Sequence, residues 1–424
     1  MNRFPEGIAI TPRGPIHATV RPPGSKSVTN RALVCAALAE GPSVLQGALD
    51  SEDTQVMIEA LTQLGIGVVP RWAEAAVEVQ GRGGAIAANS GQLYVANSGT
   101  TVRFLAALVS LANGVFQLDG SPRMRQRPIG DLVESLRQLG VDAQAESLGD
   151  CPPVTIRAAG LRGGQATVRG DVSSQFLSGL LLAAPYARTP VTLVVEGELV
   201  SRPYVSMTLA VMKAFGIETE CREMREFHVP RGQYRGRLYA IEPDASAASY
   251  FFAAAAITGG EVTVEGVSAE SLQGDVRFVD VLKQMGCRVA FGADRVTVAG
   301  GKLQGLHVDM NAISDTVQTL AAVALFAEGP TSITGVAHIR HKETDRIAAL
   351  ATELRKLGAI VEEWPDGLSI TPAPLRAAAI DTYQDHRMAM SFALVGLRQP
   401  GVVINDPGCT AKTYPNFWRD LENL

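Results

Sequence analysis

Six runs rich in alanine and leucine recur along the chain, each opened by a short polar cluster. The clusters begin at Ser25, Ser98, Ser173, Asp244, Ser314 and Asp385, about 72 residues apart. The runs read SKSVTNRALVCAALA, SGTTVRFLAALVSLA, SSQFLSGLLLAA, DASAASYFFAAAAI, SDTVQTLAAVALFA and DHRMAMSFALVGL. Apolar residues face every direction in them, the pattern of helices buried on all sides. Each run ends at a Gly or Pro and leads into a β-like stretch. Such a period means one supersecondary unit used six times. Each polar cluster is expected at the first turn of its helix. There, unpaired backbone N–H groups and the positive dipole end favour anions.

A second repeat is interleaved with the first. Amphipathic segments close on apolar-Gly-apolar at Leu64-Gly65-Ile66, Leu139-Gly140-Val141, Phe215-Gly216-Ile217, Met285-Gly286-Cys287 and Leu357-Gly358-Ala359. The glycines fall where a helix C-terminus needs a left-handed residue. Leu132, Leu136 and Leu139 have the spacing of a one-sided apolar stripe, so these helices should cover the outside. Strand candidates are Val44–Leu49, Val77–Gln80, Val191–Glu196, Val262–Glu265, Val296–Val298 and Val402–Asn405. Each unit reads as strand, buried helix, strand, outer helix and two strands. Interleaved helices and strands make the class α/β, or α+β by some schemes. At 424 residues two or three domains are expected. Three units per domain divides six symmetrically, with Leu238–Asp244 as the best boundary.

Composition narrows the function. The apolar fraction of 46% is ample for folded cores, and the net charge of −5 argues against a general nucleic-acid surface. The cysteines, Cys35, Cys151, Cys221, Cys287 and Cys409, are odd in number and lack metal-ligand spacing. This predicts a reducing compartment and no zinc site. MNRFPEGIAI lacks a signal-peptide apolar core. No apolar run approaches the roughly 18 residues of a membrane span. The expectation is a cytoplasmic protein with no membrane and no nucleic-acid partner.

The polar clusters carry the candidate chemistry. PGSKSVTNR puts Lys26, Ser27 and Arg31 at a helix start. A nucleotide P-loop would need Gly where Ser25 and Val20 stand, which argues against ATP binding of that kind. Asn97, Ser98, Gly99, Thr100 and Thr101 form a Gly- and hydroxyl-rich cluster ahead of Arg103, and Gly99 lets a ligand approach the backbone. Ser173, Ser174 and Gln175 offer hydroxyls suited to a phosphate. The last three clusters each carry an aspartate, Asp244, Asp315 and Asp385, for which the default role is a structural N-cap; one of them set against Lys or Arg could instead act as a base. PRMRQRPIG holds Arg123, Arg125 and Arg127 ahead of Pro128, a residue suited to beginning a helix. Lys342, Glu343, Arg346, His386, Arg387 and Lys412 lie at other unit junctions. Arginine is the preferred fork for carboxylate and phosphate.

PGSKSVTNR, NSGTTVR, PRMRQRPIG, SSQF, SRPY, the ISD before TVQTLAAVAL, KETDR, DHRMAM and CTAKTYP occur in this order across the chain. Together they resemble the 3-phosphoshikimate 1-carboxyvinyltransferases (5-enolpyruvylshikimate-3-phosphate synthases), of the enolpyruvyl transferase family. The resemblance implies a two-domain inside-out α/β barrel of six βαβαββ units, three per domain. Residues 21–240 would form the N-terminal lobe and residues 1–20 plus 241–424 the C-terminal lobe, with the active site in the cleft between. Its substrates would be shikimate 3-phosphate and phosphoenolpyruvate, with no metal or organic cofactor, and the protein would be a monomer.

The resemblance also implies roles. Ser173, Ser174 and Ser201 would hold the shikimate phosphate, with Tyr204 nearby, and Arg31 with Ser27 the shikimate carboxylate side. Asn97, Gly99, Thr100, Arg127, Gln175, His386 and Lys412 would line the phosphoenolpyruvate site, with Arg346 and Arg387 gripping its carboxylate. Lys26 would lie between both substrates. Asp315 resembles the acceptor of the 5-hydroxyl proton, Glu343 the acid that protonates C3, and Lys342 a contact to shikimate 3-phosphate. Two segments depart from well-known members: His338 stands where those have Asn, and Thr101-Val102-Arg103-Phe104 where those have Ala-Met-Arg-Pro. Gly99 is the form associated with sensitivity to glyphosate. The alternatives are the enolpyruvyl transferase acting on UDP-N-acetylglucosamine, whose Lys-Asn and reactive cysteine are not matched here, and a non-catalytic anion-binding homologue.

Overall fold

The computed structural model describes residues 5–424; residues 1–4 of the segment 1–20 lie outside the described residues. The chain divides into two compact units. One is Gly24–Ile241, and the other is the chain up to Pro23 together with Glu242–Leu424. Each has its own hydrophobic core, one around Leu33, Leu105, Phe116 and Phe176, the other around Phe252, Leu320, Ile333 and Phe392.

Among the described residues, Gly24–Ile241 holds three four-stranded sheets with one strand pattern. In Ser90–Tyr94, Asn113–Asp119, Cys151–Ala159 and Asp142–Ser147, the first pair is parallel and the other neighbours are antiparallel. The other unit repeats this order twice and adds a three-stranded sheet of Gly7–Ala9, Val402–Asn405 and Ala378–Ile380. A parallel pair needs a crossover, which a helix provides in each unit. Two strands are placed out of sequence order. His17–Val20, which directly precedes the first buried helix in the chain, runs parallel to Glu261–Val264. Leu238–Ala240 runs parallel to Val44–Gln46. The chain passes between the units twice, after Pro23 and after Ile241.

The Ala/Leu-rich runs are buried helices. Gly99–Val109, Ala245–Thr258 and His386–Gly396 are buried at every position. Their caps follow from the polar clusters. Ser25 accepts from the Val28 N–H, Ser98 from Thr101, Ser173 from Gln175, Asp244 from Ala247 and Asp385 from Arg387. The amphipathic segments are helices buried on one side; Gly130–Gln138 buries Leu132, Val133, Ser135 and Leu136. Gly65, Gly140, Gly216, Gly286 and Gly358 all follow such helices with positive φ, from 85° to 110°.

Three expectations need correction. The cluster at Ser314 does not cap a helix. It lies in a 3₁₀ turn, Asn311–Thr316, kinked at Ile313, and the α-helix begins afterwards at Val317. The strand expected at Val44–Leu49 is Glu40–Gln46, because the chain turns at Gly47 with φ 75°. Pro128 does not begin a helix: a 3₁₀ turn, Met124–Gln126, precedes it and the α-helix starts at Gly130.

The passage at Gly24 is tight. A methyl group there would run into the backbone carbonyl of Gly47, which cannot yield as a flexible side chain would. Gly24→Ala is expected to destabilise the protein by about 2 kcal/mol or more, read as a lower urea midpoint with unchanged slope. An unchanged midpoint would show that the two segments can part without cost.

Candidate active site

In the unit Gly24–Ile241, the first turn of a buried helix carries Lys26. Lys26 opens the helix Lys26–Leu38, and its ammonium lies 3.3 Å from the buried carboxylate of Asp53. One turn later Arg31 is only 1% exposed. Its Nε donates to Thr208 Oγ1 at 2.7 Å, and its terminal nitrogens donate to the carbonyls of Ser27 at 2.9 Å and Tyr204 at 3.1 Å. The Phe104 ring centroid stands 5.3 Å from the guanidinium carbon. Only neutral oxygens accept from Arg31 among the described residues, so burial lowers its pKa to about 10, against the opposing effects of Tyr204 and Cys35. A buried cation compensated by dipoles alone gains strongly from an added anion.

A second group surrounds Arg127, which is 3% exposed. One terminal nitrogen donates to the Asn97 carbonyl at 2.9 Å and to its side-chain oxygen at 3.3 Å. Gly99 packs against the guanidinium: a Cβ there would lie 2.5 Å from Arg127 Nη2 and 3.0 Å from Arg103 Nη1. Gln175 is held between two neighbours. It accepts from Arg103 Nη1 at 2.6 Å and donates to Thr100 Oγ1 at 3.3 Å. Arg103 also stacks over Phe176 at 5.1 Å and donates to the Pro128 carbonyl. Ser173 and Ser174 share the first turn of Ser174–Ala183. Ser201 precedes the helix Arg202–Ala214 with φ 53°, and its carbonyl accepts from the Tyr204 N–H at 3.0 Å.

The other unit gathers its charges into one network. Asp315, freed from capping by the 3₁₀ turn, accepts from three cations. Lys342 Nζ lies at 3.1 Å, Arg346 Nη1 at 3.3 Å and Arg387 Nη2 at 2.8 Å. Arg346, 1% exposed, also donates to Glu343 at 2.9 Å and to Asp385 at 2.7 and 3.2 Å. Burial opposes the charge of Arg346, but Asp385, Glu343 and Asp315 outweigh it and raise its pKa above the ordinary range. Lys342 is shifted the other way, downward, by burial first, with Asp315 opposing and Arg346 adding to the fall. Lys412 Nζ stands 4.0 Å from Glu343 Oε1. His386 is buried, its Nδ1 3.8 Å from Asp385. His338 is buried too. Its pKa falls to about 3, through burial and then the positive charge of Lys342, so the ring is neutral at physiological pH.

The sequence-predicted residues therefore fall into connected sets within each unit. Asp315, Lys342, Glu343, Arg346, Arg387 and Lys412 form a single network. One participant was missed, and two that the sequence singled out have contacts it did not assign. Asp53 pairs with Lys26 from the first turn of another helix, and no local motif marks it. Arg103 holds Gln175, although its position behind the NSGTT cluster was a usable signal. Asp385 is both an N-cap and the main carboxylate of Arg346. No group of three or more His, Cys, Asp or Glu side chains among the described residues is arranged to hold a metal ion. No helix among them is long and apolar enough to cross a membrane.

Comparison with known proteins places this geometry. The sequence pattern of EPSP synthase (3-phosphoshikimate 1-carboxyvinyltransferase) matches residues 10–421. A Nostoc sp. protein named 3-phosphoshikimate 1-carboxyvinyltransferase is 51% identical over 406 residues, covering 95% of this chain and 96% of that protein. A Marinomonas sp. protein of the same name is 46% identical over 416 residues, covering 97% of each. The solved EPSP synthase of Acinetobacter baumannii is similar with a TM-score of 0.80 at 27% identity, covering 98% of this chain and 97% of that one. With a match spanning nearly every residue, the chain belongs to the EPSP synthase (3-phosphoshikimate 1-carboxyvinyltransferase) family.

Proposed function

We propose that the chain transfers the enolpyruvyl group of phosphoenolpyruvate to the 5-hydroxyl of shikimate 3-phosphate, releasing phosphate. The product leads through the shikimate pathway to chorismate and the aromatic amino acids. The observation that carries this reading is the Asp315–Glu343 pair, two acids held among Lys342, Arg346, Arg387 and Lys412. Binding alone needs no acid–base set. Two phosphorylated carboxylates bound together repel strongly once water is excluded, and buried cations and helix N-termini offset that repulsion.

In this reading Ser173, Ser174 and Ser201 take the shikimate phosphate, beside Tyr204, while Arg31 and Ser27 face the carboxylate side. Arg127, Asn97, Gly99, Thr100, Gln175, His386 and Lys412 line the phosphoenolpyruvate phosphate, and Arg346 with Arg387 grips its carboxylate. When that carboxylate draws Arg387 and Arg346 towards itself, Asp315 loses donors and becomes a stronger base. Asp315 then takes the 5-hydroxyl proton as the oxygen attacks C2, and Glu343, which takes up a proton from water once Arg346 turns from it to the carboxylate, delivers that proton to C3. The tetrahedral intermediate collapses when the C2–O bond to phosphate breaks. Glu343 recovers a C3 proton and Lys26, positioned by Asp53, assists the departing phosphate. Lys342 contacts shikimate 3-phosphate, and neutral His338 is available only as a hydrogen-bonding group. No metal or organic cofactor is part of this scheme. The protein acts as a monomer in the cytoplasm.

The UDP-N-acetylglucosamine reaction fits less well. That enzyme uses a reactive cysteine, whereas burial raises the pKa of Cys35, Cys151, Cys287 and Cys409 and keeps those thiols protonated. Phosphate release from phosphoenolpyruvate, assayed with each acceptor, tests the proposal. Release with shikimate 3-phosphate supports it. Release with only the sugar nucleotide, or with neither acceptor, refutes it.

Asp315→Ala and Glu343→Ala should each lower kcat by about 10²–10⁴-fold while changing substrate affinity far less. Near-normal turnover in both would refute the roles assigned. Gly99→Ala should raise the KM for phosphoenolpyruvate, because its methyl group presses on Arg127 and Arg103. Glyphosate should compete with phosphoenolpyruvate in the unmodified protein and inhibit the variant less; a non-competitive curve would reject that subsite.

A further inference from the structure

The loop that delivers Asp385, His386 and Arg387 has an unusual backbone. Tyr383 and Gln384, consecutive and neither of them glycine, stand at φ 54° and φ 55°. Left-handed conformations are unfavourable for such residues and persist only where surrounding contacts hold them. The turn closes with the Asp385 N–H donating to the Thr382 carbonyl at 2.8 Å. Packing does not hold Tyr383 in place, since 40% of the residue is exposed. Its hydroxyl instead donates to Glu353 Oε1 at 2.6 Å.

Glu353 is fully buried on the helix Arg346–Lys356. Its second oxygen accepts from the Asp381 N–H at 3.1 Å and from Lys356 Nζ at 2.8 Å. One carboxylate thus ties down the turn at two points, residues 381 and 383. Directly after the turn comes Asp385, which caps the Arg387 N–H at 2.9 Å and accepts from Arg346 Nε at 2.7 Å. Arg346 starts the helix that carries Glu353 two turns later. The strained turn therefore fixes two arginines through a single aspartate, and Glu353 anchors it from the other end of the same helix.

We infer that Tyr383 and Glu353 are positioning residues that hold the turn at Tyr383–Gln384 in its left-handed form and so set the spacing of Arg346 and Arg387. The inference rests on the reading that this pair grips the phosphoenolpyruvate carboxylate. Loss of the clasp lets the turn relax, moves Asp385 and opens the arginine pair. The burden falls on phosphoenolpyruvate, not on the serine-lined phosphate site of the other unit.

The test compares Tyr383→Phe, Glu353→Gln and the double variant Tyr383→Phe with Gln384→Gly. Tyr383→Phe should raise the KM for phosphoenolpyruvate about tenfold, the scale of one lost charge-assisted hydrogen bond, with the KM for shikimate 3-phosphate little changed. Glu353→Gln should give a smaller rise. Gln384→Gly should restore much of the loss, because glycine adopts the left-handed form freely; a merely structural lesion would not be repaired by an added glycine. Hydrogen exchange at the Arg387 amide gives a readout independent of turnover. It should quicken in Tyr383→Phe and slow again in the double variant. If exchange responds but the unmodified protein releases no phosphate with shikimate 3-phosphate, the functional reading fails and the clasp stands. Unchanged KM and unchanged exchange in Tyr383→Phe overturn the inference.

Discussion

The ion cluster on Asp315 is the constraint from which the rest of the site follows. Lys342, Arg346 and Arg387 all donate to this one carboxylate, while Glu343 and Asp385 occupy the other faces of Arg346. Like charges about 4 Å apart repel by about 4 kcal/mol at an effective dielectric near 20, so such cations cannot crowd together without interleaved acids. In the proposed reading the acids hold the arginines ready for the phosphoenolpyruvate carboxylate. Removing one partner from a buried pair typically costs about 3–5 kcal/mol, which binds Asp385 and Glu343 into the architecture as firmly as into the chemistry.

The six-fold repeat makes this arrangement possible. Each unit spends one helix on the core and presents its first turn, with free N–H groups and a cap, at a chain position that recurs along the sequence. In Gly24–Ile241 those turns carry Lys26, Arg31, Gly99 and the serines of the third cluster. In the other unit they carry His386 and Arg387, while Asp315 lies in the 3₁₀ turn ahead of its helix. Departures from the repeat are informative. Asp244 and Asp385 cap their helices, as aspartates at such positions commonly do. At the fifth cluster the α-helix starts late, and Asp315 turns its carboxylate to the cations instead. The break in regularity falls on the residue proposed as the base.

Much of this was legible in the sequence, and for identifiable reasons. Helix starts at Ser25, Ser98, Ser173, Asp244 and Asp385 follow from short-range signals, an oxygen-bearing cap before an apolar run. The closing glycines follow from the same local logic. Basic residues flanking those starts pointed to an anion site, and their order pointed to the family. Contacts that depend on packing between distant segments were not legible. Asp53 reaches Lys26 only because two helices pack with their first turns adjacent. The exchange of His17–Val20 and Leu238–Ala240 between sheets leaves no trace in local composition, since either strand would suit either sheet. The double left-handed turn at Tyr383–Gln384 carries no glycine to announce it.

The most direct test of the account is a crystal structure of the protein with shikimate 3-phosphate and a non-reacting analogue of phosphoenolpyruvate. The account predicts the shikimate phosphate on Ser173, Ser174 and Ser201, the analogue's carboxylate on Arg346 and Arg387, and Asp315 facing the 5-hydroxyl. Anions bound away from these side chains, with the Asp315 ion pairs undisturbed, would contradict it.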